Sequence, residues 1–268
     1  MALSNNVIGG INLGAVLLSI PIIGTGIWLS TEVAESCVKV LEWAVLMLGI
    51  VMMVVGLAGL AGALLWRVQQ VRVMIFYLVA MLVLIVLLLC LVVLVYTVTL
   101  RGHGNVQPNR SYLEYHLDDF SLWLRRRVRS SRIRTCLSKT NVCARLNQSY
   151  RMPQDFFNAH LTPMQSGCCK PPTECGYTFV NPTYWISPIS TAADADCTRW
   201  SNDQMQLCYN CDSCKAGVLA AVRKEWRAAN LILLITLLPL VALYLAAFFA
   251  FRNAKTDQLF RRYRQGYT

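Results

Sequence analysis

Four stretches of the chain are long, apolar and almost free of charge: Val7 to Leu29, Trp43 to Trp66, Val73 to Thr99 and Asn230 to Phe251. Each exceeds the roughly 20 residues a helix needs to cross about 30 Å of hydrocarbon. A lipid-exposed backbone must satisfy its own hydrogen bonds, so the pattern predicts four membrane-spanning helices. Pro21 and Pro239 fall inside two of the runs, and membrane helices accommodate proline as a kink. Residues 1–6, Met-Ala-Leu-Ser-Asn-Asn, lack the positive n-region of a signal peptide, so the first run reads as a span.

Between the third and fourth runs the pattern changes. Leu113, Leu117, Phe120, Leu124 and Val128 form one stripe at helical spacing and predict an amphipathic helix continuing the third span. Arg125, Arg126, Arg127, Arg129, Arg132 and Arg134 populate the rest of that segment. Such a run reads as a solvated face, with anionic lipid, a pectin-like polymer or nucleic acid as the alternatives, the last disfavoured because this segment is expected outside. Val218, Leu219 and Val222 share a face just before the fourth run and predict a helix entering the membrane without interruption.

Composition agrees with a membrane protein: 56% of the 268 residues are hydrophobic and 15% charged, against an apolar share of about 45–50% in soluble domains. Four spans put both termini on one side. The connection after Trp66 carries Arg67 and Arg72, and the tail from Arg252 holds five basic residues and one acid, which makes that side cytoplasmic. The segment from Arg101 to Arg227 carries 17 of the 25 Lys and Arg, but loops longer than about 60 residues translocate regardless of charge. The expected plan is a cytoplasmic N-terminus at 1–6, spans at 7–29, 43–66, 73–99 and 230–251, a small extracellular loop at 30–42, an inner loop at 67–72, a large Cys-rich extracellular loop at 100–229 and a cytoplasmic tail at 252–268. The fold class is an all-α integral membrane protein with two disulfide-stabilised extracellular loops.

Nine of the eleven cysteines (136, 143, 168, 169, 175, 197, 208, 211 and 214) lie in the large loop, and Cys37 lies in the small one. That density fits an oxidised domain with little core of its own. Cys168 and Cys169 are adjacent in "SGCCKPPTECGYTF". Neighbouring Cα atoms sit about 3.8 Å apart, closer than a disulfide prefers, so the two are read as anchors for different segments. The spacing of Cys208, Cys211 and Cys214, C-x2-C-x2-C, also admits zinc or a thiol oxidoreductase; an iron–sulfur run would want a further cysteine where Val218 stands. Outside the cell persistent disulfides are the stronger expectation. Ten outer cysteines permit complete pairing, and spacing does not choose the pairs. Cys90, inside the third run, reads as a small buried hydrophobe. Asn109 and Asn147 begin glycosylation sequons, whereas Asn181 precedes Pro182 and does not qualify.

Within the spans, Asn12, Ser19 and Gly26 recur every seven residues, as do Gly49, Gly56 and Ala63, and Gly10 and Gly14 form a GxxxG pair. Small residues on one stripe let helix backbones approach closely. No Asp, Glu, Lys, Arg or His lies in the body of a span, which argues against an ion pump or a proton-coupled transporter. Tyr177, Phe179, Tyr184 and Trp185 are read either as exposed aromatics suited to partner recognition or, equally, as residues that pack the loop against its stalk.

Taken with the four-span plan, "GCCKPP" at Gly167 to Pro172, the following Cys175, "FVNPTYWISP" at Phe179 to Pro188, "CDSCKAG" at Cys211 to Gly217, and Cys37 resemble the tetraspanin family in its plant form. The opening "LSNNVIGGINL" and closing "RRYRQGYT" resemble its Tornado branch. The resemblance implies a non-enzymatic organiser that binds other integral membrane proteins and clusters with tetraspanins, in plasma membrane or endomembrane, with roles in plant development and tissue patterning. It implies no cofactor, no metal, no nucleic acid and no small-molecule substrate, and membrane lipid as a neighbour. The family's common cytoplasmic-side palmitoylation has no cysteine here to receive it. A membrane-bound thiol oxidoreductase using the C-x2-C-x2-C array is the alternative; a claudin-like junction protein is disfavoured because its larger outer loop comes first.

Overall fold

The computed structural model describes residues 2–32, 37–38, 41–65, 71–100, 114–150, 152–186, 188 and 194–265. Four helices among these are long and apolar enough to cross a membrane: α1 (Ala2–Thr31), α2 (Glu42–Leu65), α3 (Val71–Leu100) and a final helix running from Asp212 to Gln265. The chain divides into two compact units, one of residues 1–29, 41–94 and 229–268, the other of residues 30–40 and 95–228.

In the first unit, close packing follows the small residues. A Cβ on Gly26 would stand 3.0 Å from the backbone of Leu46, one on Gly49 3.0 Å from the nitrogen of Ile23, and one on Gly56 2.9 Å from Val16. The partners descend along α1 as they ascend along α2, so the two helices are antiparallel and nearly touch backbone to backbone. Asn12 and Ser19 are buried on the same stripe. Gly14 receives Leu243 of the final helix. The GxxxG expectation fails at Gly10, where a Cβ would find no atom within 4 Å; the pair is split because only Gly14 turns toward a neighbouring helix. The side chain of Ala63 lies outside the described residues. Cys90 corrects a second expectation: it is free and exposed, because α3 turns that side of its apolar surface to lipid, as it does Phe76 at 77% exposure.

The second unit is built from short helices. After Glu114 come a 3-10 turn at Leu117–Asp119, then α4 (Leu122–Arg127), α5 (Ser130–Leu137), α6 (Val142–Ser149), α7 (Pro153–Phe157) and α8 (Pro163–Cys168). A second 3-10 turn at Thr173–Cys175 leads to the antiparallel hairpin β1 (Thr178–Asn181) and β2 (Tyr184–Ile186), then α9 (Asp196–Arg199) and the final helix, α10 (Asp212–Gln265). The single amphipathic helix expected along the stripe to Val128 is therefore broken, and Leu113 lies outside the described residues. Phe120, Leu124 and Val128 are all buried as the stripe requires, but Phe120 and Val128 are extended and end their elements. Burying the same apolar residues against a small disulfide-bonded core outweighs helix continuity. The uninterrupted entry into the fourth span is as expected, with Val218, Leu219 and Val222 fully buried on one face of α10.

Candidate functional site in the disulfide-bonded loop

The local sequence explains how α8 begins. Thr162 caps it by accepting the Gln165 amide at 3.2 Å, and the Gln165 side chain accepts the Thr162 amide at 3.1 Å, with Pro163 in the first turn. This reciprocal pair satisfies donors the helix would otherwise leave open. Helix α8 then lies directly on the start of α10: a Cβ on Gly167 would collide with the Ser213 carbonyl, and one on Gly217 with the Pro163 carbonyl. These two glycines explain "SGCC" and "CKAG" as one device, since only their absence of side chain lets the helix backbones meet. At that crossing Cys168 and Cys214 are bonded, with Cα atoms 4.2 Å apart. Cys169 turns the other way to Cys143 of α6, the Cα atoms 5.2 Å apart. The adjacent cysteines thus bind α8 to α10 on one side and to α6 on the other.

Three further bridges complete the set: Cys37–Cys136, Cys175–Cys197 and Cys208–Cys211. The first spans 99 residues and ties the short loop to α5, which requires both loops to lie on the same side of the membrane. All three cysteines of the C-x2-C-x2-C array are buried and bonded, and no group of metal-ligating residues occurs among the described residues. A thiol-oxidoreductase site therefore has no support in this geometry.

Three buried charges were not legible as site residues. Lys170, between the cysteine pair and the two prolines, is 1% exposed and ion-paired with Glu114, itself 3% exposed. Glu114 also accepts the Thr173 amide at 3.1 Å and its hydroxyl at 2.6 Å, and Lys170 donates to the Pro171 carbonyl at 3.3 Å. A buried pair persists when its remaining polar valences are filled, and here they tie the start of the loop to its centre. Asp196 is 1% exposed and accepts the amides of Asp212 at 2.9 Å and Ser213 at 2.8 Å. Its carboxylate so caps the positive N-terminus of α10. Arg199 bridges Asp196 and Asp212 at 3.1 Å each, and its hydrogen bond to Asp212 raises the guanidinium pKa further. The only hint in the sequence was a charge beside a cysteine at Lys170 and at Asp196; Glu114 has no such neighbour.

The four aromatics divide between the two roles open to them, with Tyr184 exposed and Trp185 in the core. Trp185 is 8% exposed and stacks edge-on with Phe179 at 5.1 Å and with Phe156 at 6.0 Å; its indole donates to the Pro182 carbonyl at 3.2 Å. Tyr177 donates its hydroxyl to the Cys197 carbonyl at 2.8 Å, and burial raises its pKa. Trp185 therefore serves the core of the loop, with half-buried Phe179 packed against it and half-buried Tyr177 hydrogen-bonded at its edge. The period of the hairpin is the reason. Phe179 pairs with Trp185 on the inner face, and Thr178, Val180, Tyr184 and Ile186 point outward. Gly176, at φ 63°, supplies the left-handed turn that feeds Cys175 into β1. Asn202 pins the outer strand by accepting the Trp185 amide at 2.9 Å and donating to its carbonyl at 2.8 Å. The result is a rigid, apolar outer face on which Val180 is 49%, Tyr184 43% and Ile186 44% exposed. Asn147 lies exposed on α6, and Asn109 lies outside the described residues.

The model of the Tetraspanin family matches residues 4–252. The chain is 59% identical to Protein TORNADO 2 of Arabidopsis thaliana and 50% identical to Tetraspanin-2 of the same plant, with all of each chain covered in both cases. It is 42% identical to Arabidopsis Tetraspanin-3 over 86% of this chain and 83% of that one. No solved structure matches it.

Proposed function

The chain belongs to the tetraspanin family, a multi-pass membrane scaffold, and we propose that it organises other integral membrane proteins through the outer face of its β1–β2 hairpin. The observation that carries this reading is the exposed triplet Val180, Tyr184 and Ile186, held on strands whose inner face is locked by Phe179, Trp185 and Asn202. A preordered apolar face with an aromatic at its centre loses little entropy on binding, and interface energy concentrates in such residues. The spans contribute lateral contacts with tetraspanins, whether copies of this chain or other members, and with membrane lipid. The reading is non-enzymatic and assigns no cofactor, metal, nucleic acid or small-molecule substrate.

The basic inner connection and tail support cytoplasmic termini, with the large loop outside and Asn109 and Asn147 as glycan acceptors. The 59% identity with TORNADO 2 over the full length supports a role in plant development; tissue patterning and a plasma-membrane or endomembrane location belong to the same proposal. The test is proximity labelling from the full chain in its own membrane, repeated with Tyr184→Ala and with Ile186→Ser. Membrane-protein neighbours should be recovered and their recovery should fall in both variants. Recovery of soluble proteins alone, or unchanged recovery by both variants, would sink the assignment.

A further inference from the structure

The arginine run from Arg125 to Arg134 has no part in the scaffold reading. Within it Arg126 and Arg129 stand three residues apart, as do Arg129 and Arg132. An arginine just before a bond and another three residues earlier is the pattern that basic-residue-specific endoproteases of the secretory pathway read, because each guanidinium enters a carboxylate-lined pocket. Structure separates the possible bonds. Arg129 is the joint between α4, which ends at Arg127, and α5, which begins at Ser130. Val128, at φ −91° and ψ 113°, and Arg129, at φ −97° and ψ 133°, are both extended, the form in which a binding cleft takes up a peptide main chain.

The side chains a protease must grip are available. Arg126, Arg127 and Arg129 are exposed. Arg125 is engaged by Asp118 at 2.8 Å, whereas among the described residues no ion pair holds the other three. The rival bonds are covered: a cut after Arg132 falls inside α5 and before the fully buried Ile133, and a cut after Arg127 falls before the buried Val128. Cutting after Arg129 requires the last turn of α4 to unwind with Val128, and the Arg129 carbonyl to release the Arg132 and Ile133 amides it accepts at 3.1 and 3.3 Å. Helices of six and eight residues hold their end turns weakly, so this opening is local.

The disulfides decide what such a cut leaves behind. Of the five bridges, Cys37–Cys136 alone joins residues on opposite sides of the Arg129–Ser130 bond, and the other four lie wholly after it. Three candidate spans precede the bond and the fourth follows it.

We propose that Arg129–Ser130 is a processing site for an arginine-specific endoprotease of the secretory pathway. Water adds across the peptide bond, leaving a carboxylate on Arg129 and an ammonium on Ser130. The product is a two-chain protein in which Cys37–Cys136 is the one covalent tie between the first three spans and the fourth. The new ammonium stands at the positive N-terminal end of α5 and weakens its first turn, so the cut ends do not stay together. The inference rests on the large loop facing the secretory lumen, as proposed above, and not on which partner the hairpin takes.

The full chain, tagged after Thr268, is expressed in plant cells and blotted with and without reductant. Without reductant the tag should run at full mass; with reductant it should move to a fragment whose N-terminal sequence begins Ser130-Ser131-Arg132. Arg126→Gln and Arg129→Gln should each leave the chain intact under reduction, and a fragment that persists in Arg129→Gln would overturn the assignment of the bond. Trypsin, which needs only the arginine before the bond, should open the purified Arg126→Gln chain after Arg129 ahead of Arg132 and Arg134; the reverse order would overturn the geometric argument. An uncut native chain in which alkylation without reductant finds Cys90 alone would overturn the site and leave the topology standing. An uncut chain with many reactive thiols would overturn both, because the loop would then not have reached an oxidising compartment.

Discussion

Gly26, Gly49 and Gly56 bring the backbones of α1 and α2 together with no covalent link, whereas Gly167 and Gly217 bring α8 and α10 together at a point that the Cys168–Cys214 bridge then locks. The same local device operates in two solvents. In lipid the outward side chains, Phe76 and Leu238 among them, are already in an apolar medium, so association depends on shape and close van der Waals contact. In water the large loop has a small core spread over short helices, and such domains need covalent staples. The membrane unit therefore tolerates exchange of its lipid-facing surface, while the loop unit depends on a few buried points.

The largest expected effect falls on one of those points. Lys170→Met leaves the Glu114 carboxylate buried without its counter-ion, a change that costs about 3 to 5 kcal/mol. The protease resistance of the large loop should collapse, and the second change Glu114→Leu should recover much of it, because an apolar pair of similar volume replaces the ion pair. A double variant no better than the single one would show that the pair is not a unit. Next, Cys168→Ser opens one bridge and should cost about 2 to 5 kcal/mol. Alkylation without reductant should find Cys214 in addition to Cys90, and the chain should be retained in the endoplasmic reticulum with its four spans still inserted. Normal export with only Cys90 reactive would contradict the two-anchor arrangement.

The membrane unit should respond more mildly. Gly49→Leu places a side chain where a Cβ already stands 2.8 Å from Ile23, and overpacking of this kind costs about 1 to 3 kcal/mol. The thermal midpoint in detergent should fall for Gly49→Leu and stay put for Gly10→Leu, whose position meets nothing. Equal sensitivity at both positions would erase the distinction between packed and lipid-facing glycines. Smallest of all in stability is Tyr184→Ala, exposed on the hairpin, which should shift the loop's unfolding midpoint by less than about 0.5 kcal/mol. A large shift would mean that Tyr184 packs the loop as Trp185 does.

The four apolar helices were legible because hydropathy is a local property: about twenty apolar residues have one solution in lipid whatever surrounds them. The stripe ending at Val128 was legible as burial and misread as one helix, since spacing reports which residues turn inward and not whether the backbone between them stays helical. The aromatics were left open between exposure and packing for a related reason. Phe179, Tyr184 and Trp185 are alike in chemistry, and only the pairing of β1 with β2 sends Tyr184 outward and the other two inward.

The sequence by itself determined the four apolar helices, the family and the dependence of the large loop on cysteine, because these follow from runs, counts and short motifs carried by neighbouring residues. Tertiary structure alone decided that Cys168 meets Cys214 and Cys169 meets Cys143, that Lys170 finds Glu114, and that Asp196 caps α10. Each of those contacts joins residues 16 or more apart in the chain, and in the compact loop their partners are selected by which backbones can approach, a condition set at Gly167 and Gly217 and nowhere visible in spacing.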